Sequence, residues 1–525
     1  MKLKRNMSPV AFLFCIIGAI IGSGWLLGPF FAAKIAGPAA MLSWVIGGIM
    51  MMVILLSYAE LCTLLPIAGG TTRYLQFSHG TLASFTIGWI TWLATVPVGP
   101  IETLAILHYA SNYLPWLMAN DGGAGMLSLN GFLIAAVLLF IMTVINVFGA
   151  QLLAKTNNVI VFFKLLVPIL TLVILFSIGF HPANLESHGF SPMGWKGVLT
   201  ALPAAGVVFS LMGCHAALQF AGEVRNPQRS IPLCIMAGLL ICTCLYVLLQ
   251  LAFVAALNPH DFRHGWASLS FAGDMGPFVG LTAALGAIWL TKILFIDAII
   301  SPYGCALVYT GAAARLTYAL AENGYFPHEL MKLNSFGVSV RILTLNYIAG
   351  LLLFLPFPTW QAMMSFLVSA LILGYAVGPL ALNVFRKSMK HRKRPFRVPF
   401  PQVTSYLGFY FCNLIILWTG WSVISKMMIA ILLGYGILAW YKLRASQEKF
   451  PLHLEHGWWL FPYIAGMGLL SYLCTFGGGL SLIPFGWDFV AVAILSLIIY
   501  IFAQRGGLDK DEYREIIDAE LREVL

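Results

Sequence analysis

Four ionisable side chains lie within long apolar runs of the sequence, namely Glu102, Lys164, Lys292 and Asp297. A lysine at the centre of a membrane helix costs about 2.5–3.5 kcal/mol on insertion scales, so intramembrane charges usually face a bundle interior, where they pair or relay ions and protons. Lys292 and Asp297 are five residues apart, a poor helical spacing for contact. We therefore expect cross-helix pairs, with Glu102–Lys292 as one candidate. Alternatively, Lys292 lines a pocket and favours an acidic solute.

The sequence gives little support for covalent chemistry. Nine cysteines are scattered along the chain, and no spacing of Cys, His, Asp or Glu indicates a metal site or a disulfide framework. No nucleophile and base occur in a recognisable arrangement. We therefore predict a protein that is not an enzyme, with no catalytic residue, metal or cofactor.

A cluster of small residues, Gly22, Ser23 and Gly24, interrupts the first apolar run, GAIIGSGWLLGP. Glycine is about 1 kcal/mol less favourable than alanine in a helix, and hydrocarbon supplies no water to a broken backbone. One interpretation is close helix packing, because Gly18 and Gly22 are spaced as in small-xxx-small motifs. The other is a local break, whose free N–H groups and positive dipole end would bind a carboxylate.

A second interruption occurs in ALPAAGVVFSLMGCHAALQFAGEVRNPQRSIP. Pro203 and Gly206 precede FSLMG, and Gly213 and His215 follow it. Two interrupted spans five positions apart predict a five-plus-five repeat, in which an odd number of spans inverts the second copy. Discontinuous helices at matching places in two halves are typical of the central site of a transporter.

These interruptions lie in a chain of 525 residues that is 60% hydrophobic and 10% charged, whereas soluble proteins carry about 25% charged residues. The apolar runs are continuous rather than alternating, which predicts an all-α polytopic membrane protein. The fourteen predicted spans are 9–33, 38–65, 81–109, 131–150, 156–180, 196–221, 231–257, 277–310, 340–356, 361–385, 403–424, 426–442, 457–476 and 486–504.

The predicted spans divide the chain into six regions. These are an N-terminal cytoplasmic tail (1–8), a first inverted repeat of spans 1–5 (9–180), a second of spans 6–10 (196–385), a basic cytoplasmic loop (386–402), four additional spans (403–504) and a charged cytoplasmic C-terminal tail (505–525). The four additional spans carry almost no intramembrane charge. We expect them to be peripheral or to form an oligomer contact, in a monomer or homodimer.

The distribution of positive charge predicts the orientation. With the N terminus inside, most of the 30 Lys and Arg residues fall on the cytoplasmic side. The external ones are Lys34, Lys196, Arg263 and Lys426. The net charge of +10 therefore reflects orientation in a lipid bilayer rather than nucleic-acid binding. The stretch RKSMKHRKRPFR is interpreted as a topology anchor, with a lipid-headgroup site as the alternative.

Four motifs in order resemble those of the amino acid–polyamine–organocation (APC) transporter superfamily. They are GAIIGSGWLLGP, SYAELCTLLPIAGGTTRYLQFSHG, FAGEVRNPQRSIP and GAAARLTYALAENGYFPHEL, and together they cover about residues 9–385. RYLQFSHG and AIISPYGCALVYTGAAARLTYAL look most like the bacterial aspartate:proton symporter branch. The sequence departs from the family pattern at Ala314, where Ser is common, and at Glu322-Asn323, which replace Arg-Asp. These departures bear on cytoplasmic gating rather than on the substrate site.

The resemblance implies a LeuT-like inverted repeat with an amino acid bound between the two interrupted spans. The α-carboxylate would bind at the first break, and the α-amino group would bind at free carbonyls of the second break, around Phe209, Ser210 and Met212. The side chain would lie near His215, for which a packed neutral histidine is the alternative. Lys164 would occupy the place of sodium in sodium-coupled members and carry the proton; the alternative is a structural tether. The implied substrate-binding residues are Gly22, Ser23, Gly24, Phe209, Ser210, Met212, Gly213 and His215.

The resemblance therefore implies a proton-coupled importer of aspartate or glutamate in the bacterial cytoplasmic membrane, working by alternating access. An amino acid or amine exchanger and a neutral amino acid:proton symporter are the alternatives within transport. A substrate sensor and a channel are alternatives from a different class of function. A sensor would bind the substrate without transporting it, and flux through a channel would not saturate at low substrate concentration. Glu60 and Arg73, which bracket a predicted cytoplasmic loop, are expected to form gate or structural contacts.

Overall fold

The computed structural model describes residues 7–65, 70–119, 126–148, 150–214, 218, 224–390, 392–444 and 452–508, with the backbone alone for 70–72, 150–159 and 441–444. His215 lies outside the described residues, as do positions 1–6 and 509–525 of the two predicted tails.

The described part of the chain is built from α-helices, because a helix satisfies its own backbone hydrogen bonds in hydrocarbon. The helices are α1 (Pro9–Ile20), α2 (Ser23–Ala36), α3 (Ala40–Leu64), α4 (Gly70–Thr95), α5 (Val98–Ser111), α6 (Leu129–Val147), α7 (Ala150–Ile178), α8 (Gly194–Ala204), α9 (Val207–Leu211), α10 (Pro227–Ala256), α11 (Pro277–Ala284), α12 (Ile288–Glu322), α13 (Val340–Leu353), α14 (Trp360–Tyr375), α15 (Val377–Ser388), α16 (Pro401–Thr419), α17 (Trp421–Arg444), α18 (Leu454–Gly457), α19 (Leu460–Leu473) and α20 (Trp487–Arg505).

Within the described residues, nine segments are long and apolar enough to cross a membrane. The shorter α1 and α13 are apolar as well. The all-α polytopic architecture is therefore confirmed, while the count of fourteen spans and the division into six regions remain predictions. The half-helices of the first and sixth spans, α1, α2, α8 and α9, have 12, 14, 11 and 5 residues, and each is shorter than the about 20 residues that cross a bilayer.

Both predicted interruptions are present. The first span breaks at Ile21 and Gly22, between α1 and α2. In the sixth span α8 ends at Ala204, and Gly206, with φ at +84°, precedes the single turn of α9. Close packing alone therefore does not explain the first-span glycines. Residues 207–211, part of the stretch expected to unwind, are helical because Gly206 adopts the left-handed conformation and allows the helix to restart.

A second pair of interruptions was not predicted. The third span is interrupted between α4 and α5, after Thr95, and the eighth is interrupted between α11 and α12, after Ala284. These two spans are also five positions apart. The spacing is the one that a five-plus-five repeat requires.

A buried polar network joins the helices of the last four spans. Asn413 of α16 accepts a hydrogen bond from the Tyr463 hydroxyl at 2.6 Å and donates to Ser496 Oγ at 2.8 Å. All three residues are buried. Because buried polar groups need partners, this network fixes the relative positions of α16, α19 and α20.

The last four spans also hold the N-terminal end of α4, where Gly80, with φ at +76°, interrupts the helix. His79 Nε2 donates to the carbonyl of Ala503 at 3.0 Å. The N–H of Thr81, which starts the helix after the kink, donates to Nδ1 of His453 at 3.3 Å. The segments after α17 and at the end of α20 therefore bind α4 directly and stabilise the third span. This is a contact within the chain that the predicted peripheral or oligomer-contact role did not include.

Candidate functional site

The break in the first span presents backbone donors to a buried carboxylate. The N–H groups of Ser23, Gly24 and Trp25 begin α2 and have no acceptor within their own helix. Ser23 N–H donates to Oε2 of Glu102 at 2.7 Å, and Glu102 projects from α5 and is fully buried. Among the described residues, the other two N–H groups make no hydrogen bond across the break like that of Ser23. The half-helix N-terminus thus binds a carboxylate, in this case one of the protein's own.

Gly22 allows this carboxylate to approach the backbone. A Cβ atom at position 22 would lie 2.5 Å from Glu102 Oε1 and 2.9 Å from Cys305 Sγ. These separations are shorter than any van der Waals contact, so a larger residue would displace the carboxylate. Glu102 of α5 can therefore contact the break only because residue 22 is a glycine.

Lys164 of α7 binds the carbonyl side of the same break. Its ammonium donates to the carbonyl of Gly18 at 2.6 Å and to that of Ile21 at 2.7 Å, and its side chain is fully buried. Gly18 lies in the last turn of α1 and Ile21 is the residue that caps the end of this helix, so the helix offers neither carbonyl an N–H partner. The cation thus meets the negative end of one half-helix while Glu102 meets the positive end of the next.

The second break has partly internal partners. The Ser210 hydroxyl donates to the carbonyl of Gly206 at 2.7 Å. Of the carbonyls predicted to be free, Phe209 accepts from Met212 N–H at 3.2 Å and Met212 accepts from the Tyr375 hydroxyl at 2.8 Å. A carbonyl oxygen has two lone pairs, so each can still accept a second donor. The expectation of wholly unpartnered carbonyls is therefore wrong for these two residues.

The two breaks face one another at very short range. A Cβ atom at Gly24 would lie 1.9 Å from Ser210 Oγ, and one at Gly213 would lie 2.3 Å from the backbone nitrogen of Ile20. Glycine is required at both positions for the half-helices to touch. The structure therefore brings together seven of the eight predicted substrate-binding residues; the eighth, His215, lies outside the described part of the chain.

The intramembrane charges are distributed differently from the prediction. Asp297 is buried in α12, where both carboxylate oxygens accept from Ser301 Oγ at 2.9 and 2.8 Å. Lys164 lies close enough to interact with the carboxylates of both Glu102 and Asp297. Lys292 is exposed, in the second turn of α12. The expected Glu102–Lys292 pair is wrong, because Glu102 is fully buried whereas Lys292 points out of the protein.

Trp360 is a contact residue of this site that the sequence did not single out. Its indole Nε1–H donates to Ser23 Oγ at 3.0 Å. Its ring stacks on Phe31 with centroids 5.6 Å apart and meets Phe209 edge-on at 6.0 Å. Trp360 lies immediately before the predicted span 361–385, and an aromatic residue in that place carries no sequence signal that separates such a role from ordinary packing.

Glu60 forms a buried charge cluster away from the breaks. Its carboxylate accepts from Arg386 Nε at 2.9 Å and from Val398 N–H at 2.7 Å, and Arg394 Nε lies 3.3 Å from it. Glu60 is fully buried at the end of α3. The cluster attaches the basic loop predicted at 386–402 to the second span, so several of the positive charges in this loop have a structural partner.

Arg73, which brackets the predicted cytoplasmic loop after the second span together with Glu60, makes contacts of its own. Its guanidinium donates to Asn323 Oδ1 at 3.0 Å and lies 3.3 Å from the carboxylate of Glu322. Glu322 and Asn323 are the two residues that replace the Arg-Asp pattern of the superfamily. Through these two contacts, Arg73 joins α4 to the end of α12. An arginine at position 322, as in the superfamily pattern, would repel Arg73, whereas Glu322 attracts it.

Comparison with known proteins gives matches along nearly the whole chain. The amino acid permease family model matches residues 7–438. The chain is 36% identical over 521 residues to the glutamate/serine transporter AimA of Bacillus subtilis (strain 168), covering 98% of this chain and 96% of that protein. It is 33% identical over 510 residues to the aspartate-proton symporter of the same organism, covering 97% of each. It is 30% identical over 457 residues to the methylthioribose transporter of that organism, covering 84% of this chain and 93% of that protein.

Proposed function

The chain belongs to the amino acid permease family, and from this premise we propose that it is a proton-coupled symporter importing an acidic amino acid, aspartate or glutamate. It is a multi-pass membrane protein, and the proposal places it in the bacterial cytoplasmic membrane with both termini inside. The observation that carries the proposal is the Glu102 carboxylate on Ser23 N–H, at the start of a buried half-helix. This position suits an amino acid carboxylate for the same physical reason.

Substrate binding would exchange one carboxylate for another. The substrate α-carboxylate takes the place of Glu102 on Ser23 N–H, with the N–H groups of Gly24 and Trp25 in the same helical turn. A proton on Lys164 favours the exchange, because the charged ammonium adds a positive charge at the break where the substrate carboxylate and the displaced Glu102 carboxylate meet. Proton and substrate would therefore bind together, without covalent chemistry.

The substrate α-amino group would bind at the end of α9. The carbonyls of Phe209, Ser210 and Met212 lie there, and an ammonium group can share a carbonyl that already accepts one hydrogen bond. Gly213 and His215 follow in the chain and would lie beside the substrate side chain. In that position His215 would pair with a side-chain carboxylate.

Lys164 is the proposed proton carrier between substrate cycles. While charged, its ammonium holds the end of α1 through Gly18 and Ile21. A neutral amine is a weaker donor, so loss of the proton would loosen α1 from α7 and permit the movement that alternating access requires. A purely structural lysine makes the same contacts, and the two roles differ in whether uptake depends on pH through this residue.

Electrical measurements separate the candidate substrates. A proton moving with a zwitterion carries one net charge, worth about 2.3 kcal/mol per 100 mV or roughly 50-fold accumulation. A proton moving with monoanionic aspartate or glutamate carries none. One relative is a glutamate/serine transporter, so the neutral amino acid symporter is the second candidate. We expect proteoliposomes with an imposed potential and no pH gradient to accumulate little aspartate; strong accumulation would exclude one-to-one symport.

The decisive experiment is competition of all common amino acids against radiolabelled aspartate in proteoliposomes with an imposed pH gradient. We expect glutamate and aspartate to compete and Lys164→Ala to bind substrate but lose the pH dependence of uptake. Lys292→Ala is the matched control, because this second intramembrane lysine is exposed. No competition by acidic amino acids would refute the substrate, and counterflow without any need for a proton gradient would indicate an exchanger.

A further inference from the structure

Trp360 touches both interrupted spans, yet the proposed function gives it no role. It is the first residue of α14, whose N-terminus is capped by Thr359 Oγ1 on Ala362 N–H at 3.3 Å. Its side chain is 1% exposed. The cap and the burial fix the indole in place at the junction of α2, α9 and α14.

The packing of Trp360 leaves no space beside the second break. A Cβ atom at Gly206 would lie 2.8 Å from the indole ring. The ring also lies parallel to Phe31 of α2, with an interplanar angle of 14°, and perpendicular to Phe209 of α9, at 89°. The indole therefore spans the face on which the two half-helices meet.

The hydrogen bond from the indole restricts what the Ser23 hydroxyl can do. An indole N–H only donates, whereas a hydroxyl has one proton and two lone pairs. When Trp360 donates to Ser23 Oγ, the hydroxyl proton is directed to another acceptor, while the backbone N–H of the same residue donates to the Glu102 carboxylate at 2.7 Å. Ser23 can thus present two donors, its N–H and its O–H, to one carboxylate.

We propose that Trp360 is a positioning residue that orients the Ser23 hydroxyl as a donor to the substrate carboxylate and closes the junction of α2 and α9 around it. This inference rests on the proposed function, because it assumes that substrate replaces Glu102 at the first break. Trp360 itself need not touch the substrate. Its effect passes through Ser23, so the two residues should be coupled.

The test is a double-mutant cycle measured as uptake kinetics in proteoliposomes. Trp360→Phe keeps an aromatic ring but removes the N–H. We expect KM for the transported amino acid to rise about three- to tenfold, the range for one neutral hydrogen bond, with a smaller change in kcat. In the Ser23→Ala background the same substitution should change KM by less than about twofold, because the hydroxyl to be oriented is absent.

Trp418→Phe is the matched control. This tryptophan of α16 is buried, and within the described residues its Nε1 has no hydrogen-bond partner. Its KM should equal that of the wild type. Equal effects of Trp360→Phe with and without the Ser23 hydroxyl, or a loss in kcat alone, would overturn the positioning role while leaving the transport proposal intact. A wild-type protein that takes up no amino acid would instead refute the proposed function, and this inference with it.

Discussion

The contact between Gly24 and Ser210 predicts a severe effect from a single added methyl group. In Gly24→Ala the new Cβ would lie 1.9 Å from Ser210 Oγ, 2.8 Å from its Cβ and 3.2 Å from its Cα. Rotation of the Ser210 hydroxyl relieves only the first of these overlaps. The other two require α2 and α9 to move apart.

The cost follows from these distances. Rotating the Ser210 hydroxyl breaks its 2.7 Å bond to the Gly206 carbonyl, at about 0.5–1.5 kcal/mol. The remaining overlap is an overpacked core contact, which costs about 1–3 kcal/mol. Together these costs destabilise the closed junction by about 2–4 kcal/mol, which corresponds to a fall of roughly 30- to 1,000-fold in the equilibrium constant between the closed and the open junction.

The assay combines thermal unfolding in detergent with uptake into proteoliposomes. We expect Gly24→Ala to unfold at a lower temperature and to lose at least tenfold in uptake at low substrate concentration. Gly436→Ala is the control, because a Cβ there meets nothing within 4 Å. The double variant Gly24→Ala/Ser210→Gly removes the two closest atoms and should recover most of the lost stability. A Gly24→Ala protein that matches Gly436→Ala in both measurements would refute the close junction.

Three further substitutions test other described contacts. Glu60→Gln should destabilise the protein by about 3–5 kcal/mol in chemical unfolding, because it leaves Arg394 buried without its counter-charge, and should speed proteolysis within 386–402. His453→Ala removes the acceptor for Thr81 N–H and should cost about 0.5–2 kcal/mol, as other helix N-caps do, with faster amide exchange at the start of that helix. Asn413→Leu should lower the unfolding free energy by about 1–3 kcal/mol, since its hydroxyl partners stay buried and unpaired; unchanged unfolding would contradict the network.

The sequence predicts the two central breaks because their cause is local. Gly22, Ser23 and Gly24 are poor helix formers in a setting where a broken backbone is expensive, so residue types and spacing alone are enough to indicate a break. The partner of the break, Glu102, could be identified only as an intramembrane charge. Its contact with Ser23 depends on how α5 packs against α1 and α2, which no local pattern encodes.

Two expectations differ from the structure for reasons of geometry. At about 100° per residue, Lys292 and Asp297 lie some 140° apart around α12, so the burial of one favours the exposure of the other. The spacing alone predicts that the two side chains lie on different faces of the helix. It does not predict which of these faces is directed inward. The kink at Gly80 could not be predicted from the sequence. A single glycine does not indicate a kink, and the residue that accepts a hydrogen bond from the next N–H, His453, lies far along the chain.

The attachment of α4 to the end of α20 has a consequence for how the protein is made. His79 and its partner carbonyl at Ala503 are 424 residues apart in the chain. At about 5–20 residues per second, a ribosome needs about 20–85 s to synthesise the intervening segment. Throughout that interval the newly inserted third span lacks one of its final hydrogen-bond acceptors, so a chaperone or insertase that shields this segment would improve the yield of correctly folded protein.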